Sequence, residues 1–220
     1  MIETFEKNDA LDDMIAALTQ DGVFMVNNFV SNIDPLTCNV KKLCSNGRDY
    51  GFGKAYRGPS ISKFKNGPIL KTFDSSLIHN IYDAYPKAKR NEFGYAVFAT
   101  HDYKTTPFDQ MGRNGYLHWD RIWFLKFMVY CNDVNNDNGA FSCCPGSTAL
   151  GAKMRSEVSG TADDDKNRLE IDYPMVASKQ KLVPIKAKAG TLIVFDTDTF
   201  HMGGRVKEGH ERLVVRMHCR

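Results

Sequence analysis

The spacing of apolar residues changes character once along the chain. Leu11, Met14, Ile15 and Leu18 recur at three- and four-residue intervals, which predicts a helix over 9–20, and GVFMVNNFV (22–30) follows as a short β-rich run. Asn32 and Asp34 offer capping oxygens ahead of a second helix from Pro35 to Cys44, and Leu77, Ile78 and Ile81 place a third over 75–84. Beyond that point runs rich in Val, Ile, Phe and Tyr, separated by turn residues, predict strands at 95–100, 121–132, 139–144, 181–187, 190–196 and 212–219. Short helical material is expected at 149–157, and the polar stretch GTADDDKNRLEIDYP (160–174) reads as a surface loop. An early helical layer followed by many short strands defines a mainly β fold, a sandwich or barrel with helices packed on one side. No repeat, low-complexity tract or linker interrupts it, so residues 1–220 are read as a single domain.

Alternation sorts the side chains of 121–132 into two faces. Trp123, Leu125, Phe127, Val129 and Cys131 read as packed core; Ile122, Phe124, Lys126, Met128 and Tyr130 look the other way. On the last strand Arg216 shares parity with Arg212 and reads as a substrate contact or a structural ion pair.

Composition narrows the class. With 42% hydrophobic and 25% charged residues, 220 residues suffice for one sizeable core. The formal charge of +3 comes from 29 basic and 26 acidic residues mixed along the chain, which permits nucleic-acid binding but offers no basic arm to suggest it. Six cysteines without a CxxC pair are too few for a disulfide scaffold and imply reduced thiols in a cytoplasmic protein. Acidic residues stand where a leader peptide needs basic ones, and no apolar run approaches the roughly 18 residues of a membrane span, so a soluble, unprocessed monomer or homodimer is expected.

His118-Trp119-Asp120 places two metal-competent side chains at i and i+2, on one face of an extended segment. Six histidines and 19 aspartates in 220 residues supply about half a chance occurrence of such a triplet, so alone it reads as a hydrogen-bonded surface pair. Context comes from AGTLIVFDTDTFHMGG, a turn, an apolar strand and a histidine, His201, at the strand's mouth. Arg212 opens the next β-run eleven residues later, and a hairpin through VKEGHE is expected to put His201 and Arg212 on neighbouring strands. Two imidazoles and one carboxylate on a face leave three open positions on Fe(II). The C1 carboxylate and C2 carbonyl of 2-oxoglutarate would take two and O2 the third, with the planar fork of Arg212 suited to the distal carboxylate. Lys126 either contacts 2-oxoglutarate or an anionic substrate, as a cofactor-binding residue, or snorkels to solvent, the more ordinary role of a lysine.

Other candidates fall away. His79 sits in a predicted helix, His210 in a polar loop, His101 beside an Asp that faces the opposite way, and His218 about 20 Å along its strand from Arg212. Tyr103, Tyr116 and Trp119 either line a pocket or pack, and Cys143 and Cys144 read as one buried and one outward thiol. Asp133 to Gly139 lacks the glycine and glutamate of a calcium loop and reads as a strand-to-strand turn. Gly51-Phe52-Gly53 lacks the third glycine of a dinucleotide fingerprint and reads as a loop near the site entrance.

HWD, DVNNDNGAFSCCPGS and AGTLIVFDTDTFHMGG through GHERLVV together resemble the phytanoyl-CoA dioxygenase (PhyH-like) family over residues 8–220. The resemblance implies a double-stranded β-helix (jelly-roll, cupin-like) core with N-terminal helices on one sheet. It also implies His118, Asp120 and His201 as iron ligands, Arg212 as the 2-oxoglutarate anchor, and hydroxylation over halogenation, because Asp120 stands where related halogenases leave room for chloride. Many members carry His after the PGS where this chain has Thr148, and the chain is shorter than is usual.

The leading expectation is therefore a hydroxylase of a small molecule. Two readings compete with it: the same chemistry on a protein side chain or nucleobase, which a groove flanked by Lys54, Arg57, Lys63 and Lys65 would favour, and a non-catalytic β-barrel binding or sensing module. Loops 50–66, 103–117 and 159–180 are expected to shape the pocket.

Overall fold

The computed structural model describes residues 2–88, 93–105 and 115–220. Eleven strands are present among them: β1 (Thr4–Phe5), β2 (Val23–Val26), β3 (Arg48–Asp49), β4 (Gly53–Arg57), β5 (Ala96–Asp102), β6 (Leu125–Tyr130), β7 (Ser142–Cys143), β8 (Val183–Pro184), β9 (Leu192–Asp196), β10 (His201–Met202) and β11 (Arg212–Cys219). Eight form a major sheet in the order β1-β2-β9-β6-β11-β5-β4-β3, and three form a minor sheet, β10-β7-β8. Single bridges of His118 to Arg168 and to His201 widen the minor sheet. Two facing sheets with helices against the outer side of one make the double-stranded β-helix that the family resemblance implies.

The helices follow from their apolar stripes. Helix α1 (Leu11–Asp21) buries Met14, Ala17 and Leu18, α2 (Asp34–Ser45) buries Leu36, Val40 and Cys44, and the helix at Ser76–Ala84 buries Ile78, Ile81 and Tyr82. These side chains meet Leu125, Phe127, Val129, Val194, Leu213 and Val215 from the outer face of the major sheet. Each fully buried aliphatic or aromatic side chain contributes about 1.5–3 kcal/mol. Gly22 ends α1 in the left-handed region at φ 74°, donating its N–H to Leu18, and a Cβ there would meet Thr199 Oγ1 at 1.9 Å. The turn from α1 into β2 thus needs glycine for its angle and for its space.

The inner face of the major sheet carries the other set of alternating residues. Met128, Tyr130, Ile193, Phe195 and Val214 pack there against Phe141, Cys143 and Ile185. Toward one end this packing gives way to a cavity.

Several expectations change. Strand 121–132 shortens to Leu125–Tyr130 and strand 139–144 to Ser142–Cys143. The predicted hairpin is absent: β10 pairs with β7 in the minor sheet, whereas β11 lies between β5 and β6 in the major one. His201 and Arg212 therefore face each other from opposite sheets, because the long registers of β11 with β5 and β6 outweigh a two-residue pairing. The stretch 160–174 is not a simple surface loop, since Leu169 is fully buried and Leu169–Asp172 is helical. Gly53 opens an unforeseen strand that pairs with β5, and Pro68–Phe73 forms an unforeseen helix. Cys143 and Cys144 are both buried, one between the sheets and one beside Trp119 and Phe200. Of the loop expected at 103–117, residues 106–114 lie outside the described ones.

Candidate metal centre

His118 and His201 are tied through their backbones. His118 donates its N–H to the His201 carbonyl at 3.0 Å and accepts the His201 N–H at 2.8 Å. A paired position of this kind sets two side chains on the same face, and the imidazole centroids lie 4.5 Å apart. Each ring then donates Nδ1–H to the carbonyl two residues earlier, His118 to Tyr116 and His201 to Thr199, both at 2.7 Å. A carbonyl can only accept, so both rings carry a proton on Nδ1, which leaves Nε2 of each turned toward Asp120 as the atom free to meet a metal.

Asp120 completes the group. Its N–H donates to the Thr197 carbonyl at 3.1 Å, which holds the segment after His118 against the turn that precedes His201. Oδ1 lies 3.7 Å from His118 Nε2 and 3.5 Å from His201 Nε2, whereas Oδ2 pairs with the Lys126 ammonium. Donor atoms of the three residues all lie within 4.8 Å of one another, and no other cluster of three metal-competent groups occurs among the described residues.

The electrostatics suit a divalent cation. Burial, reinforced by the neighbouring His201, pushes the His118 pKa down to about 3, so its ring is a neutral donor at ordinary pH. Burial pushes Asp120 up, but the Lys126 ammonium and the two imidazoles overcome it and hold the carboxyl well below the usual range. Burial in turn lowers Lys126, against the pull of Asp120. Two imidazole nitrogens, one ionised carboxylate oxygen and an open side toward a cavity are the donor set of the 2-His-1-carboxylate facial centre, and they fit Fe(II).

A buried polar network steadies the turn that carries His201. Asp196 accepts from Tyr85 Oη at 2.7 Å, Lys87 Nζ at 2.7 Å and Trp123 Nε1 at 2.9 Å. Asp198 accepts from Arg155 Nε at 2.6 Å and Lys87 Nζ at 3.1 Å, and its own N–H returns to Asp196 at 2.8 Å. Both carboxylates are wholly buried, and every partner comes from outside the turn or locks it internally. The DTD run ahead of His201 was the available sequence signal, two acids at i and i+2 closing an apolar strand.

The cavity holds about 320 Å³ and is lined by the three candidate ligands, by Lys126, Arg212 and Arg216, and by apolar side chains such as Met128, Phe141 and Phe195. Arg212 donates Nε and Nη2 to Asp102 Oδ2 at 3.0 and 2.8 Å, and Nη1 to the Gly139 carbonyl. Asp102 also accepts from the Tyr50 hydroxyl, whose pKa is pushed up by burial and by that carboxylate. Asp102 and Tyr50 line the cavity without having been foreseen. Lys126 does not snorkel; it is buried with its charge on Asp120.

The discounted histidines stay apart. His79 bonds Asp74, His101 bonds Glu211, His210 is exposed, and His218 stacks on Phe98 without lining the cavity. Trp119 is fully buried among Leu117, Met154 and Phe200, and neither it nor Tyr103 nor Tyr116 lines the cavity. Thr148, where the resemblance leads one to look for histidine, is buried in a hydroxyl contact with Thr199 at 2.8 Å.

Fold and site together define a double-stranded β-helix protein with a His/Asp/His centre at the mouth of a cavity between its sheets. The chain belongs to the phytanoyl-CoA dioxygenase (PhyH) family, whose sequence profile matches residues 87–214. Among solved structures it is similar to the non-heme alpha ketoglutarate dependent carbocyclase SnoK from nogalamycin biosynthesis (TM-score 0.64, 15% identity, 96% of this chain and 84% of that one). HygX from Streptomyces hygroscopicus, solved with nickel and 2-oxoglutarate, gives a TM-score of 0.63 at 12% identity over 96% of this chain and 87% of that one. EctD from S. alaskensis, solved with 2-oxoglutarate and 5-hydroxyectoine, gives 0.62 at 14% identity over 96% and 77%. No curated protein matches the sequence significantly. No helix among the described residues is long and apolar enough to cross a membrane.

Proposed function

We propose that this protein is an Fe(II)- and 2-oxoglutarate-dependent dioxygenase that hydroxylates a small-molecule substrate. One observation carries the reading: Nε2 of His118, Nε2 of His201 and Oδ1 of Asp120 converge at a cavity that Arg212 also lines. When bound, the iron with 2-oxoglutarate and O2 supplies the oxidising power, and succinate and CO2 leave.

The chain's own residues supply position, charge and exclusion. His118, His201 and Asp120 hold the metal, each offering one atom. Lys126 occupies the second Asp120 oxygen, which keeps the carboxylate ionised and single-pronged. Arg212, oriented by Asp102 and Gly139, receives the distal carboxylate of the cosubstrate. Met128, Phe141 and Phe195 make the wall apolar, which displaces water and strengthens each charge contact. A cavity of about 320 Å³ supports a small molecule over a polymer bound in an open groove, and Lys54 of the expected basic groove instead donates to the Ser45 carbonyl.

The test is succinate formation and O2 consumption by the Fe(II)-loaded protein with candidate substrates, with product mass spectrometry to find an added oxygen. Asp120→Ala should abolish metal uptake and turnover together; full activity in that variant would overturn the metal assignment. The fold also serves an epimerase, SnoN, and a carbocyclase, so the product analysis decides the outcome of the oxidation.

A further inference from the structure

Strand β11 turns Arg212, Val214 and Arg216 into the cavity, and the two arginines differ in their company. Arg212 is engaged on all three nitrogens, by Asp102 and the Gly139 carbonyl. Lys126 is engaged by Asp120. Arg216 makes no hydrogen bond or ion pair with any described residue, and its Nε is buried without a partner. The contact its guanidinium does make is with the face of Phe98, 5.7 Å from carbon to ring centroid. A partly buried cation with no acceptor is costly, and such a group is retained where a ligand supplies the missing charge.

Charge balance says how much is missing. The pairs Lys126/Asp120 and Arg212/Asp102 each cancel. On the reading proposed above, a divalent ion and a dianionic cosubstrate cancel as well. One positive charge remains, at Arg216. The approach to it is also basic: Arg57, Phe98 and Arg216 stand in register across β4, β5 and β11, and exposed Arg57 lies over the same Phe98 ring at 5.4 Å. Such a row draws an anion toward the uncompensated guanidinium.

We infer that Arg216 binds a carboxylate of the primary substrate, an assignment that rests on the Fe(II)/2-oxoglutarate reading. A guanidinium takes a carboxylate through two parallel bonds, which fixes orientation as well as position. The substrate is then a monocarboxylic acid held at one end by Arg216, and the carbon presented to the metal is set by its distance from that carboxylate.

The experiment uses the full chain loaded with Ni(II), a redox-inert stand-in, and 2-oxoglutarate. After a first calorimetric titration of both, the loaded protein is titrated with matched aliphatic and aromatic carboxylates, their primary amides and their phosphate-ester counterparts. Carboxylates should bind at least tenfold more tightly than the matched amides. Arg216→Met should bring that preference below twofold while leaving 2-oxoglutarate affinity within twofold, and Arg216→Lys should keep the preference at lower affinity. The Lys variant preserves the charge and so reads the same contrast if the Met variant folds poorly. Equal binding of amides, no binding of either class, or tighter binding of phosphate esters overturns the assignment. A tenfold loss of 2-oxoglutarate affinity in Arg216→Met overturns it too, by giving Arg216 to the cosubstrate. Failure of the wild-type chain to take up Ni(II) and 2-oxoglutarate in the first titration overturns the underlying reading and this one with it.

Discussion

Lys126 grips Oδ2 of Asp120, so that Oδ1 alone faces the imidazole nitrogens of His118 and His201. The lysine comes from β6 in the major sheet and the aspartate from the segment that bridges to the minor one. Removing it frees the carboxylate to rotate and to take up a proton. Lys126→Met should lower Fe(II) or Ni(II) affinity by about 10–100-fold, the usual effect of losing a group that orients a metal ligand. Metal titration checks this; unchanged affinity would show that Asp120 is held without it.

On the proposed function Arg212 carries two duties, and its removal should show both. Arg212→Ala should raise the 2-oxoglutarate KM at least tenfold with a smaller change in kcat, as loss of a binding contact does. It also leaves Asp102 buried without its cation, at a cost to stability of about 3 kcal/mol. Rates against cosubstrate concentration and a denaturant melt separate the effects. Arg212→Lys should recover part of the stability and little of the KM, since an ammonium cannot span Asp102, Gly139 and a ligand.

Asp198→Asn tests the network behind His201. The substitution keeps the shape but weakens the contacts with Arg155 and Lys87, both of which can reach solvent when released. The loss should be about 1–2 kcal/mol. At roughly 2–4 °C per kcal/mol for a chain of this size, the melting midpoint should fall by about 2–8 °C. A wild-type midpoint with weakened metal binding would place the network's effect on the ligand alone.

Gly151→Ala reverses an ordinary expectation. In a helix interior alanine is favoured over glycine by about 1 kcal/mol. Here Gly151 lies in Thr148–Val158, and its Cβ would meet the Asp198 carbonyl oxygen at 1.8 Å. The helix must move off the His201 turn, and a net loss of about 1–3 kcal/mol is expected in denaturant unfolding. Stabilisation instead would mean that the contact yields freely.

What could be read in advance was what local pattern and residue type encode. Strand 212–219 was legible end to end because eight residues alternate with apolar side chains on one face and Arg212, Val214 and Arg216 on the other. That His118, Asp120 and His201 form one cluster was legible because few residue types can hold a metal. What escaped depends on distant pairing. The strand Gly53–Arg57 has only the sequence GKAYR, and it becomes a strand because β5 lies alongside. Asp102 and Tyr50 acquire their roles from Arg212, more than a hundred residues on. The sheet that takes His201 is settled by Cys143 and His118, which no loop length between 201 and 212 reveals.

His201 and His118 belong to the minor sheet, whereas Arg212 and Arg216 belong to the major one. The side chains between the sheets therefore act as a spacer gauge. Phe141 and Phe195, whose rings meet at 4.6 Å, set how far the His118/Asp120/His201 cluster stands from the guanidinium groups across the gap. A change of volume there would alter the reach of the site, and with it the length of molecule the site can measure, even where the fold tolerates the change.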